Sequence, residues 1–208
     1  MKTIITKDRD MEIITQYAKT YMDPPERERV GCRSIIIKDG KVLLSLEERK
    51  NVYMSPGGGV EKGETLEECV VRELSEEAGL KVKPIKHLLR VDEYCFETLW
   101  VNNYFICEIE GECERHLTES EEYNGVKPVW IDIQKAIEIF GDYESKREDQ
   151  ASLYLREYTV LNKCKMQNER GGNAISFSYQ REGVKSPIQV RKIKITKPQK
   201  VIPLFWCG

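Results

Sequence analysis

GGVEKGETLEECVVRELSEEAGL, residues 58–80, sets Glu64, Arg72, Glu73, Glu76 and Glu77 around one helix bounded by two glycine turns. The run Pro56-Gly57-Gly58-Gly59 ahead of it cannot continue a regular helix and leaves main-chain amides and carbonyls open to a ligand. Thr65 can cap the first turn, and Glu68 three residues on completes a Thr-x-x-Glu capping box, so helix is predicted from Leu66. Gly79 suits the left-handed position past a helix end, which predicts one helix from Leu66 to Ala78. At about 100° per residue, Val70, Val71, Leu74 and Ala78 share an apolar arc. Glu73, Glu76 and Glu77 share the adjacent arc with Arg72 at its edge.

Three carboxylates at i, i+3 and i+4 repel one another unless a cation lies between them. Hard oxygen ligands favour Mg²⁺ or Mn²⁺ over zinc, and Mg²⁺ is held by a few carboxylates together with substrate phosphates. A solvated acidic face is the ordinary reading of a glutamate-rich helix. Here the spacing argues for a metal and a phosphorylated small-molecule substrate.

The segment resembles the signature of the Nudix hydrolase family, G-x5-E-x7-R-E-U-x-E-E-x-G-U with U aliphatic. Gly58, Glu64, Arg72, Glu73, Leu74, Glu76, Glu77, Gly79 and Leu80 occupy its fixed positions. A chance match in a chain of this length is on the order of one in ten million at average residue usage. The resemblance implies an α+β fold, a mixed β-sheet sandwiched between α-helices, with N- and C-terminal extensions here. It implies a Mg²⁺- or Mn²⁺-dependent pyrophosphohydrolase that cleaves the diphosphate linkage of a nucleoside diphosphate derivative or a nucleoside triphosphate. By the same resemblance Glu73, Glu76 and Glu77 would hold metal with the Gly57 carbonyl. Arg72 would orient a catalytic glutamate, Glu73 and Glu76 would take part in catalysis, and Glu64, Gly58 and Gly79 would support the geometry. The alternative is a non-catalytic nucleotide-sensing or RNA-binding module on the same scaffold.

Family members also draw a further glutamate from a loop before the strand that carries a tryptophan. In ERHLTESEEYNGVKPVW, read as an acidic loop, Glu119, Glu121 and Glu122 are candidates, and Glu122 lies nearest the expected place. Substrate markers of the family are unmet. No proline follows the box where Asp92 to Phe96 stand, Tyr94 falls short of the dinucleoside polyphosphate position, and Gly141-Asp142-Tyr143-Glu144 replaces the base-reading asparagine.

Working outward, CRSIIIKDGKVLLSLEE from Cys32 reads as two apolar runs joined by the hairpin signal Asp39-Gly40. Leu80 to Val91 and Thr98 to Ile109 read as strands, and Val129-Trp130-Ile131 as a short strand entering the helix-like IQKAIEIF. Glu148 to Asn162 places Ala151, Tyr154, Leu155, Tyr158 and Leu161 at helical spacing, a stripe read as core packing. The domain is therefore set at 31–163. Residues 1–30 form an N-terminal extension, expected as a linker, an outer strand or a short helix, and 164–208 a basic β-rich extension.

The 208 residues carry 33 Lys or Arg against 35 Asp or Glu, and 40% hydrophobic content supports a real core. From Lys165 onward nine Lys or Arg face two Glu, a balance of +7. This segment, with Ile175, Phe177, Tyr179 and the Leu204-Phe205-Trp206 cluster, is expected to add β structure or bridge a homodimer; nucleic acid is the less favoured partner. No apolar run approaches a membrane span, and the seven scattered cysteines read as reduced thiols. A cytoplasmic protein is expected, with His87 and His116 outside the chemistry.

Overall fold

The computed structural model describes residues 1–8 and 11–169. Its larger sheet runs β1 (Lys2–Asp8), β2 (Met11–Tyr21), β7 (Leu80–Phe96), β8 (Thr98–Glu112), β3 (Arg27–Ile35) in spatial order. It is mixed: β2 lies parallel to β7 and β3 parallel to β8, while β1–β2 and β7–β8 are antiparallel. The second sheet holds β4 (Ile37–Lys38), β5 (Lys41–Glu47), β6 (Val52–Met54) and β9 (Val126–Asp132), with β9 antiparallel to β5. As expected, Asp39 and Gly40 turn the hairpin between β4 and β5, both at positive φ (50° and 74°).

Two apolar clusters bracket the large sheet. On one side Cys69, Val70 and Leu74 pack against Cys32, Phe105 and Cys107. On the other, Phe140 of α3 (Ile133–Gly141) and Tyr154 and Leu161 of α4 (Glu148–Glu169) pack against Ile35, Val91 and Tyr104. Each fully buried aliphatic or aromatic side chain contributes about 1.5–3 kcal/mol, so this sandwich fixes where the box helix sits. The aromatic stripe of α4 is core, with Tyr154 edge-on to Phe140 at 5.2 Å.

Of the three readings of residues 1–30, strand is the one adopted: β1 and β2 extend the large sheet, and Ile14, Gln16 and Ala18 of β2 are buried. The stretch before Trp130 is not a loop throughout. Thr118 caps α2 (Glu119–Asn124) in a second capping box with Glu121, and Gly125 closes it at φ 67°. The basic segment with Ile175, Phe177, Tyr179 and Leu204 to Trp206, and the homodimer expected from it, lie outside the described residues. Among the described residues no helix is long and apolar enough to cross a membrane.

Candidate active site

Thr65 accepts from the Glu68 amide while the Glu68 side chain accepts from the Thr65 amide, so α1 (Leu66–Glu73) starts as the capping box dictates. The expected single helix ends sooner. From Leu74 to Ala78 the chain is a π-turn, in which the Gly79 amide reaches back to the Leu74 carbonyl, and Gly79 adopts φ 67°. Segment 113–116 takes over the freed carbonyls. The His116 amide donates to Glu76, Arg115 Nε to Glu77 at 2.7 Å, and the Cys113 amide to Gly79. The apolar arc is also corrected: Val71 is 36% exposed, and Cys69, one step round α1, is buried in its stead.

Arg72 gathers the carboxylates. Its Nε and Nη2 grip both oxygens of Glu64 at 2.8 and 3.0 Å, Nη2 also donates to the Gly59 carbonyl at 3.0 Å, and Nη1 donates to Glu73 Oε1 at 2.9 Å and Glu76 Oε2 at 3.1 Å. A planar fork with five donors is the side chain that can do this. The bond from Arg72 holds Glu64 below the usual carboxylate range. Glu73 goes the other way, raised by burial even with Arg72 in contact.

Glu77 stands apart from this hub. Its Oε2 accepts from Ser45 Oγ at 2.9 Å and from the Gly57 amide at 3.3 Å, and burial pushes its carboxyl up to about 7. Gly57 sits at φ 137°, where a Cβ would stand 2.1 Å from the Cys32 carbonyl oxygen, so only glycine fits. At Gly58 a Cβ would lie 2.3 Å from Glu73 Oε1, so the missing side chain is the room into which that carboxylate fits. Strand β3 anchors the turn: the Cys32 amide donates to Gly58 and the Ser34 amide to Pro56. Arg33 Nη1 donates to the Gly57 carbonyl and to the Ser55 carbonyl.

Among the described residues no group of three or more His, Cys, Asp or Glu is arranged to hold a metal ion. The donor set nonetheless suits a hard cation. Glu73 and Glu77 both carry a burial penalty that Arg72 and Arg33 leave uncompensated, and the Gly57 carbonyl lies on the same turn. Glu122 is exposed on α2, where its backbone serves the cap, and no described bond brings its side chain to the cluster. Sequence reading missed Ser45, Arg33 and Arg115; only Arg33, a charge interrupting the apolar strand Cys32 to Ile37, left a trace.

The raised Glu77 carboxyl gives a prediction with a definite sign. The folded chain keeps a proton there that the unfolded chain has released, so the stabilisation is fully present below about pH 4.3 and is lost as pH rises through about 7. Thermal melts in chelator should show Tm falling between about pH 5 and pH 8 more steeply in the parent than in Glu77→Gln. Parallel curves would refute the assignment.

A mixed sheet between helices, with a glycine turn laid against a carboxylate-bearing helix, is the class of domain that this fold and site define. A model of the NUDIX domain matches residues 25–154, more than half of the chain, and the chain belongs to that family. It is 42% identical over 90 residues to an ADP-ribose pyrophosphatase of Methanocaldococcus jannaschii, covering 42% of this chain and 48% of that protein. Over 132 residues it is 31% identical to an RNA pyrophosphohydrolase of Actinobacillus succinogenes, covering 53% and 66% respectively. The chain thus spans between 48% and 66% of the length of these curated relatives. Among solved structures, the ORF135 protein of E. coli superposes with TM-score 0.51 at 17% identity, over 71% of this chain and 96% of that one. A NUDIX hydrolase from Nitrosomonas europaea gives 0.50 at 21%, over 64% and 89%. At these identities the structures share the fold.

Proposed function

We propose that the chain is a Mg²⁺- or Mn²⁺-dependent hydrolase that cleaves the diphosphate linkage of a nucleoside diphosphate derivative or nucleoside triphosphate, by water attack at phosphorus. The observation that carries this reading is the pair of carboxylates, Glu73 buried and Glu77 half-buried, whose desolvation the neighbouring arginines do not offset. Glu73, Glu77 and the Gly57 carbonyl would hold the metal, with Glu76 beside them. When bound, the divalent cation would neutralise charge on the phosphate oxygens and make water a stronger nucleophile near neutral pH.

Arg72 keeps Glu73 and Glu76 in place from a base fixed by Glu64 and the Gly59 carbonyl. Glu76 is the most open of its three partners, 39% exposed against 12% for Glu64 and 10% for Glu73, so solvent water can reach its carboxylate. Glu76 is accordingly assigned to accept the proton that the attacking water releases as the new P–O bond forms and the bridging P–O bond breaks, the second phosphoryl group leaving. Glu122 has no role in this scheme. The free thiols of the described residues fit a reducing, cytoplasmic setting.

A product panel over nucleotide sugars, dinucleotides, capped RNA and nucleoside triphosphates, each with Mg²⁺, Mn²⁺ or chelator, tests the reading. Metal-dependent release of a nucleotide from one class supports it. Absence of turnover across the panel would favour the non-catalytic alternative. Arg72→Lys should lower turnover more than tenfold with little change in Tm, because the charge stays while the fork that spans Glu64, Glu73 and Glu76 is lost. An unaffected variant would contradict the orienting role.

A further inference from the structure

We propose that the groove crossing β8, β3 and the box turn binds the nucleoside end of the substrate, with the Trp100 indole stacking on the base and Arg29 and Arg33 holding the adjoining phosphate. The assignment rests on the hydrolase reading above and deepens it by naming the moiety and its seat.

Parallel pairing sets Arg29, Gly31 and Arg33 of β3 opposite Trp100, Asn102 and Tyr104 of β8. Residues two apart on a strand share a face, so these form two adjoining rows. One end of the rows is closed: Tyr104 is fully buried, its hydroxyl donating to Glu157 of α4 at 2.9 Å. The other end is open, and there Trp100 is 40% exposed. The Arg29 guanidinium lies over one face of the indole, 5.8 Å from its centroid, which sets a positive charge beside the ring where the phosphate of a stacked nucleotide would lie.

Between the two ends lie Asn102 on β8 and Gly31 on β3, and at Gly31 the missing side chain is what lets the box turn approach. A Cβ on Gly31 would come within 2.8 Å of the Gly58 carbonyl oxygen, and Gly31 bridges to Gly59, so the box turn lies directly against the strand. The resulting cavity holds about 320 Å³ and is lined by Arg29, Gly31, Arg33, Gly59, Trp100 and Asn102 among others. That lies at the small end of the usual range for ligand pockets, suited to one nucleoside and not to a whole dinucleotide. Arg33 connects it to the chemistry, since the same guanidinium bonds the Gly57 carbonyl. A base on Trp100 therefore leaves its phosphate beside the carboxylate turn.

Charge decides against the larger cavity, of about 750 Å³, beside α1. Glu61, Glu64, Glu67 and Glu68 line that one against Lys62 and Arg72, and the excess of carboxylates repels a phosphate. The groove carries two arginines against Glu28, which attracts it. Aromatic stacking tolerates any base, so the groove is expected to select a nucleoside without strict discrimination among bases.

The test uses the full chain in chelator, titrated with AMP, GMP, UMP and CMP by calorimetry, so the readout does not require turnover. The parent should bind at least one nucleotide, Trp100→Ala should weaken Kd at least tenfold, and Trp100→Phe should recover most of the loss. Trp130, equally exposed at 40% on β9 and outside the groove, supplies the control: Trp130→Ala should bind like the parent. On whichever substrate the panel identifies, the loss in kcat/KM for Trp100→Ala should fall on KM. If Trp100→Ala binds and turns over like the parent while Glu73→Gln is inactive, the groove assignment is wrong and the hydrolase reading stands. If the parent turns over nothing yet Trp100→Ala loses nucleotide binding, the groove stands and the hydrolase reading fails.

Discussion

Glu73→Gln and Glu77→Gln are each expected to fold like the parent and to lose at least two orders of magnitude in turnover with Mg²⁺ or Mn²⁺. The fold should survive because glutamine keeps the shape, and its amide oxygen can still accept from Arg72 at position 73 or from Ser45 and the Gly57 amide at position 77. What is lost is negative charge at the point where a divalent cation would meet the chain. Removing one preorganised charge or dipole from a reacting centre lowers rate by about 10²–10³. Neutralising either position also removes a desolvated charge, so the metal-free variants should melt no lower than the parent near pH 8. Parent-like turnover by both variants would refute the metal assignment.

The largest effect on stability is expected on the far side of the sheet, at Arg156. Its Nη1 meets Glu93 at 2.7 Å, its Nη2 meets Glu157 at 3.1 Å and its Nε donates to the Tyr104 hydroxyl at 2.9 Å, with both carboxylates and the guanidinium almost wholly buried. Glu157 also accepts from Ser55 Oγ at 2.6 Å, two residues before Gly57. Arg156→Met removes the cation from two buried carboxylates, and breaking such a group costs about 3–5 kcal/mol, a fall in Tm of roughly 6–20 °C for a domain this size. Replacing Glu93, Arg156 and Glu157 together with apolar residues should recover part of the loss. A Tm for Arg156→Met within 2 °C of the parent, read by calorimetry near pH 8, would show that the network is not structural.

How much of this was legible depends on how local each cause is. The start of α1 follows from Thr65 and Glu68 alone, three residues apart, and the end of its π-turn from Gly79. The β4–β5 hairpin follows from Asp39-Gly40. The capping box of α2 was equally legible: Thr118-x-x-Glu121 followed by Gly125 carries the same signal as Thr65-x-x-Glu68, and reading the stretch as an acidic loop overlooked it. Arg156 and Glu157 are different. By composition they belong to the polar face of a helix, and only the hydroxyls and carboxylate of three other elements make their burial tolerable.

The sequence by itself determined that Arg72 would stand beside Glu76, four residues on along one helical segment, with Glu73 on the same acidic arc. The support from Glu64 was implied by the family resemblance, and its grip on Arg72 was seen only in the fold. The sequence also determined the family, since the box is contiguous. Tertiary structure alone decided that Glu77 leaves the arginine hub for Ser45 and Gly57, and that Arg33 reaches the Gly57 carbonyl. The π-turn that aims Glu77 has its carbonyls satisfied by Arg115 and His116, more than thirty residues along the chain. Local periodicity records which residues share a face. It holds no record of which distant donor arrives to bond an exposed carbonyl, and here that donor sets the direction of a carboxylate.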